Sequence, residues 1–129
     1  MAEEEEKMPL EVGMKHTVTI TVTDAMCADH LDSQLPQLDL PHVFSTPSMI
    51  NLMEITSGDL MNRYAPEGKC SVGMSVEIKH IAATAAGETV TCETEVAESD
   101  GRKVLFRVNA YDKNGRIGFG THKRAYIDK

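Results

Sequence analysis

The chain has 129 residues, 41% hydrophobic and 26% charged, with a formal net charge of −7 at neutral pH. That length supports one domain with its own core and is short for two. The acidic balance argues against a nucleic-acid surface, which needs a concentrated basic face, and the apolar runs are too short to span a membrane.

In chain order, the opening MAEEEEK is acidic where a secretory leader would be basic and then apolar, which predicts a cytoplasmic protein. Residues 1–10 read as a flexible, solvated acidic lead, followed by a single domain over 11–129. His16 to Val22 alternates polar and apolar residues with β-branched side chains, the pattern of a half-buried strand. From Asp24 to Val43 the period is broken by Pro36 and Pro41, while Leu31, Leu35, Leu38 and Leu40 punctuate a connection long enough to be a lid or binding loop.

Thr46-Pro47 then announces a helix, with Thr46 as N-cap and proline at the first helical position, where no amide partner is needed. The helix runs to about Tyr64 and stops before Pro66-Glu67-Gly68. At helical spacing Thr46, Met49, Ile50, Met53, Ser57, Leu60, Met61 and Tyr64 share one half of the wheel. Glu54 sits on the border of that stripe, where a carboxylate either bends out to water or is kept for chemistry. Gly58 in mid-helix costs about 1 kcal/mol relative to alanine, a sign that a strand or ligand passes close by.

Downstream, Val72, Met74, Val76, Ile78, His80 and Ala82 form one face of a long strand, with Gly73, Ser75, Glu77 and Lys79 on the other. Turns at Ala85-Ala86-Gly87, Ser99-Asp100-Gly101 and Asp112 to Gly115 separate three further strands and predict a four-strand antiparallel meander. The economical packing is an α+β fold, an antiparallel sheet wrapped around one long central helix. Its edge strands invite pairing, so a homodimer is expected. Cys27, Cys70 and Cys92 are odd in number and lack CxxC spacing, which argues against a disulfide framework or a zinc knuckle.

His80 falls on the core-facing side of its strand, either as a hydrogen-bonded core histidine or as an acid-base partner for a carboxylate on the helix. Thr46 can cap the helix, bind a substrate, or both. Lys69, Lys79, Lys123 and Arg124 are local cations available to a phosphate-bearing ligand; Arg124 could equally form a structural ion pair. By strict alternation it shares a face with Gly118, Gly120 and His122, opposite Ile117 and Phe119.

The run VFSTPSMINLMEIT, then HIAATAAG, then GTHKRA resembles the fluoroacetyl-coenzyme A thioesterase family within the hotdog-fold thioesterase superfamily. The resemblance covers roughly Leu40 to Ile127. It implies a hotdog fold, paired into dimers, and an acyl-coenzyme A thioesterase that uses no cofactor beyond the coenzyme A of its substrate. It assigns the catalytic group to Thr46, Glu54 and His80 and substrate binding to Leu40, Phe44, Gly73 and Arg124. The family's gating phenylalanine corresponds to Leu40, so aromatic gating for a fluorinated acyl group is not implied.

A thioester suits these residues, because its thiol leaving group has a pKa of about 8.5 and needs little acid assistance. Glu54 would attack the carbonyl or activate water, and His80 would manage the proton. Thr46 would help hold the oxyanion with Gly73 and the nearest amides, those of Ser48 and Met49. Thr46 and Glu54 are eight residues apart, roughly 12 Å along a helix axis, so either the helix begins later than Thr46-Pro47 signals or, the favoured reading, the site is shared between two subunits. The rival readings are a hotdog-fold dehydratase, which typically pairs histidine with aspartate, and a silent acyl-coenzyme A binding module or ligand-gated regulator.

Overall fold

The computed structural model describes residues 10–33 and 35–129. The acidic lead lies outside the described residues apart from Leu10, which is buried in the core. Five strands and one long helix follow in chain order: β1 (Lys15–Thr21), α1 (Thr46–Arg63), β2 (Lys69–His80), β3 (Thr89–Ser99), β4 (Lys103–Asp112) and β5 (Gly115–Asp128). The strands make one antiparallel sheet in the order β1-β3-β4-β5-β2, and α1 touches all five. This is the expected hotdog arrangement. No helix among the described residues is long and apolar enough to cross a membrane.

The four-strand meander is corrected to three strands. β3, β4 and β5 follow one another through tight turns, but β2 crosses to the far edge and pairs with β5, and β1 takes its place beside β3. The connection explains the exchange. Hairpins close through two to five residues, whereas residues 81–88 are drawn elsewhere: the amides of Ile81 and Ala82 both donate to the Ile117 carbonyl, and Phe44 donates its amide to Thr84.

The cap of α1 is Ser45, one residue earlier than expected; its hydroxyl accepts the Ser48 amide at 3.2 Å. Thr46 is therefore the first helical residue and is exposed rather than part of the buried stripe. The buried residues of α1 are Met49, Leu52, Met53, Thr56, Ser57, Leu60 and Met61, a wider arc than the stripe because the sheet wraps the helix. The buried hydroxyls are satisfied: Thr56 donates to the Leu52 carbonyl and Ser57 bonds Thr94. Inward side chains of the sheet, among them Val90, Cys92, Val96, Phe106 and Val108, complete the core.

One irregularity sets the phase of β2. Its register with β5 shifts between Gly73 and Ser75, leaving Met74 as a bulge. Directly opposed residues share a face, so Gly73 opposite Arg124 belongs with Val76 opposite His122, Ile78 opposite Gly120 and His80 opposite Gly118. Val72 and Met74 leave that face and are 39% and 50% exposed. The strict alternation expected for β2 fails because the extra residue advances the side-chain phase by half a period. Contact is tight along the facing part of β5: a Cβ on Gly118 would strike the Met49 sulfur, and one on Gly120 the Glu77 carbonyl oxygen.

The connection between β1 and α1 is built from three short 3₁₀ turns, Asp24–Met26, Ala28–Ser33 and Pro36–Leu38. His42 ties the first two together. Its Nδ1 bonds the Asp29 carboxylate and its Nε2 bonds Asp24, each at 2.9 Å. Two carboxylate acceptors favour the doubly protonated ring, and the hydrogen bonds to Asp29 and then Asp24 raise the His42 pKa. Leu40 lies in the same connection, partly buried.

Candidate active site

Two clusters hold the residues singled out in the sequence. At the start of α1, Thr46 Oγ1 and His80 Nδ1 share a 2.8 Å hydrogen bond. Phe44, 1% exposed, sets its ring edge-on to the imidazole with centroids 6.4 Å apart. His80 Nε2 is buried without a hydrogen-bond partner among the described residues, and burial lowers the pKa of the ring. A neutral imidazole with one nitrogen engaged by a hydroxyl and the other unclaimed is equipped to take or give a proton. Thr46, His80 and Phe44 line an open cleft of about 360 Å³.

Two turns along α1, Glu54 meets the other end of β2. Arg124 Nη1 donates to Glu54 Oε1 at 3.4 Å, the one side-chain hydrogen bond of that carboxylate among the described residues. Gly73 is where the strand passes the carboxylate: a Cβ there would lie 2.6 Å from Glu54 Oε1. Arg124 is buried and held on several sides, donating from Nε to Ser71 Oγ and from Nη2 to the Ser71 carbonyl, both at 3.1 Å. Gly58 makes room for it, since a Cβ there would stand 3.2 Å from Arg124 Nη2. The helix glycine read from the sequence as a sign of close approach thus faces the guanidinium. Glu54, Gly58, Ser71 and Arg124 open onto a cleft of about 660 Å³.

The structure therefore unites Thr46, His80 and Phe44, and separately Glu54, Gly73 and Arg124. No hydrogen bond or ion pair joins Glu54 to Thr46 or His80, and the two groups line different clefts of the protomer. The amides of Ser48 and Met49, expected to face an oxyanion, are both occupied by Ser45: the first donates to its hydroxyl and the second to its carbonyl. That expectation is corrected, because the N-cap claims these donors. Lys69, one of the cations offered to a phosphate, pairs with Asp128 at 2.6 Å. Among the thiols, burial pushes Cys92 up to about 11 and raises Cys27, which keeps both protonated and unreactive at neutral pH.

His122 is the site residue that the sequence reading missed as a participant. It is 1% exposed, and the only available signal was its place two residues before Arg124 on the same face. Its pKa is lowered, chiefly by burial and also by the Arg124 charge.

Half-buried His80 and fully buried His122 both carry a sign for stability. Their folded pKa values lie below the unfolded value of about 6.5, so the unfolded chain binds more protons as the pH drops past that point. Their contribution is fully present above the unfolded pKa and is lost as the pH falls through the folded values. His42 acts with the opposite sign, but it is exposed and screened by water. The urea midpoint is thus expected to fall on acidification from about pH 7 to about 5, before carboxylate titration dominates. A flat midpoint across that range would contradict the neutral, buried state of these rings.

Comparison with known proteins converges on one group. Residues 22–129 match the family model described as fluoroacetyl-CoA-specific thioesterase. The fluoroacetyl-CoA thioesterase of Streptantibioticus cattleyicolor is 36% identical over 119 residues, covering 92% of this chain and 86% of that protein. A crystal structure of a variant of the fluoroacetyl-CoA-specific thioesterase FlK, in complex with fluoroacetate and CoA, superposes with a TM-score of 0.87 at 36% identity, covering 92% of this chain and 96% of the other. A hot-dog-like protein from Thermanaerovibrio acidaminovorans shares the fold, with a TM-score of 0.80 at 21% identity over 93% of this chain and 85% of the other.

Proposed function

The chain belongs to the fluoroacetyl-CoA-specific thioesterase family, and from that premise we propose that it hydrolyses a small acyl-coenzyme A thioester to a carboxylic acid and free CoA. The observation that carries the mechanism is the setting of Glu54, with Oε1 anchored by Arg124 and the residue itself lining the cleft of about 660 Å³. Oε2 attacks the thioester carbon or deprotonates the water that does so. His80 moves the proton through Nε2, which has no hydrogen-bond partner among the described residues, and the Thr46 hydroxyl fixes the ring and steadies the carbonyl oxygen. Arg124 and Gly73 position the acyl end, and Phe44 backs the imidazole. A thiolate leaving group with a pKa of about 8.5 departs without help from a metal, so the reaction uses no cofactor, coenzyme A entering as part of the substrate. The setting is the cytoplasm, with residues 11–129 acting as one unit.

The working site is completed by dimerisation. β2 is an edge strand whose Val72, Met74 and Val76 are 39%, 50% and 38% exposed, a surface suited to a second copy of the chain. A partner brought against this edge supplies His80 and Thr46 to the Glu54 of its neighbour, which accounts for the separation of the two clusters within one protomer. Leu40 stands where an aromatic gate would be, so the acyl pocket accepts several short acyl groups without selecting the fluorinated one.

Following free thiol with fluoroacetyl, acetyl, propionyl and aryl thioesters of CoA tests the activity and the breadth of the pocket; no release from any of them would remove the reading. Mixing Glu54→Gln and His80→Ala protomers under conditions that exchange subunits tests the composition of the site. If each site draws these residues from two chains, every mixed dimer regains one intact site, and an equal mixture recovers about a quarter of wild-type turnover. If they act within one chain, the mixture stays inactive.

A further inference from the structure

His122 sits at the centre of the Glu54 cluster; it does not line the cleft of about 660 Å³ that Glu54 and Arg124 share, but with Glu54 and Gly73 it lines a smaller one of about 220 Å³. Its two ring nitrogens are both engaged, and the partners dictate its state. The Ser75 carbonyl can only accept, so Nδ1 carries the hydrogen and donates to it at 2.9 Å. The Arg124 guanidinium can only donate, so Nε2 is bare and accepts from Nη1 at 3.2 Å. Only the neutral ring protonated at Nδ1 satisfies both bonds; a second ring proton would set two donors against each other. The same Arg124 Nη1 is the atom that reaches Glu54 Oε1. The Ser75 carbonyl, belonging to the edge strand just past the Met74 bulge, is thereby linked through the imidazole and the guanidinium to the carboxylate.

We propose that His122 is a positioning residue for the hydrolysis: as a neutral acceptor it fixes the Arg124 guanidinium in the orientation that presents Glu54 to the thioester. The inference rests on the reading of Glu54 as the reacting carboxylate. Arginine at the end of a long side chain has several rotamers, and two long bonds to Glu54, at 3.4 Å to Oε1 and 3.5 Å to its carbonyl, would not select among them. Ser71 holds the Nε and Nη2 edge of the group, and His122 holds Nη1, so together they fix the plane. Losing the Nη1 contact frees the group to turn about its Nε bond, and the carboxylate loses its register with it. Displacements of this size are costly to turnover while leaving binding of a large substrate almost intact, since coenzyme A makes most of its contacts elsewhere.

The test compares two replacements of similar polarity. In His122→Gln the amide reaches the place of Nε2 and its oxygen can accept from Arg124; in His122→Asn the shorter amide reaches only the place of Nδ1 and can serve only Ser75. The expected result is a loss in kcat of about tenfold to a hundredfold for His122→Asn, with KM changed less than about twofold, and recovery of most of that loss in His122→Gln. In an Arg124→Ala background the His122→Asn change should have no further effect on kcat, because the group it positions is gone. Equal losses in both replacements, or the same factor with Arg124 removed, would overturn the proposal. So would wild-type kcat in His122→Asn. Glu54→Gln, measured alongside, separates the premises: if it remains active the assignment of Glu54 fails, whereas an inactive Glu54→Gln with a fully active His122→Asn removes only the role of His122. Should both replacements unfold, nitrogen-15 NMR of the wild-type imidazole decides the matter, with Nδ1 protonated and Nε2 bare expected at neutral pH and a protonated Nε2 contradicting it.

Discussion

Replacing Glu54 with glutamine is expected to reduce kcat by about a thousandfold, within the range found when a positioned acid-base group is lost, while the protein stays folded. The amide matches the carboxylate in size, so packing beside Gly73 is kept, but it supplies neither a nucleophilic oxygen nor a base of useful strength. Stability should change little. Glu54 is 43% exposed at its side chain, where an ion pair contributes at most about 1 kcal/mol, and Arg124 retains its bonds to Ser71, His122 and the Glu54 carbonyl. Steady-state thiol release with the urea midpoint measured on the same preparations separates lost chemistry from lost structure. Turnover within a few fold of wild type would remove Glu54 from the reaction. A single turnover of the wild type in oxygen-18 water adds the order of events: label appearing in the Glu54 carboxylate identifies it as the nucleophile, whereas label in the product alone is the outcome both of general-base hydrolysis and of a mixed anhydride opened at its acyl carbon.

Gly73→Ala is expected to be the most damaging small substitution at the site, with kcat/KM lowered about a hundredfold by misplacement of the reacting group. The added methyl would lie 2.6 Å from Glu54 Oε1 and 3.2 Å from His122 Cε1. Both distances are below normal van der Waals contact, and the carboxylate is the more movable neighbour. It would swing away, breaking its bond with Arg124, while the backbone of β2 stays in its register with β5. A circular dichroism spectrum like that of the wild type, together with the loss of thiol release, is the expected pair of observations. Full activity in this variant would mean that Glu54 works from a different rotamer and that its contact with Arg124 is dispensable.

Much of this arrangement can be read from local sequence. Ser45-Thr46-Pro47 and Pro66-Gly68 bound the helix, the Asn114-Gly115 and Asp100-Gly101 pairs mark hairpins, and Thr46, Glu54 and His80 stand out by chemistry and resemblance. The separation of Thr46 from Glu54 was also legible, because eight residues of helical rise keep them apart whatever the sheet does, but the placing of His80 was not: expected beside the helix carboxylate, it bonds Thr46 instead. What could not be read depends on partners distant in the chain. The passage of β2 to the far edge is decided by where the amides of Ile81, Ala82 and Phe44 find acceptors. The bulge at Met74 leaves no local mark, since Met74 fits the alternation as well as its neighbours do. Arg124 and His122 share a face by simple alternation, but whether that face meets the helix or the solvent depends on the curl of the sheet.

The bulge at Met74 has an evolutionary corollary. It keeps Gly73 and His80 on one side of β2 although they are an odd number of residues apart, and an uninterrupted strand would send them to opposite sides. Removing a single codon between Ser71 and Val76 would therefore rotate half of this strand away from the helix, and inserting one would do the same. Descendants of this sequence are bound there by more than the identity of Gly73 and Ser71: the length of that stretch is inherited as a fixed count.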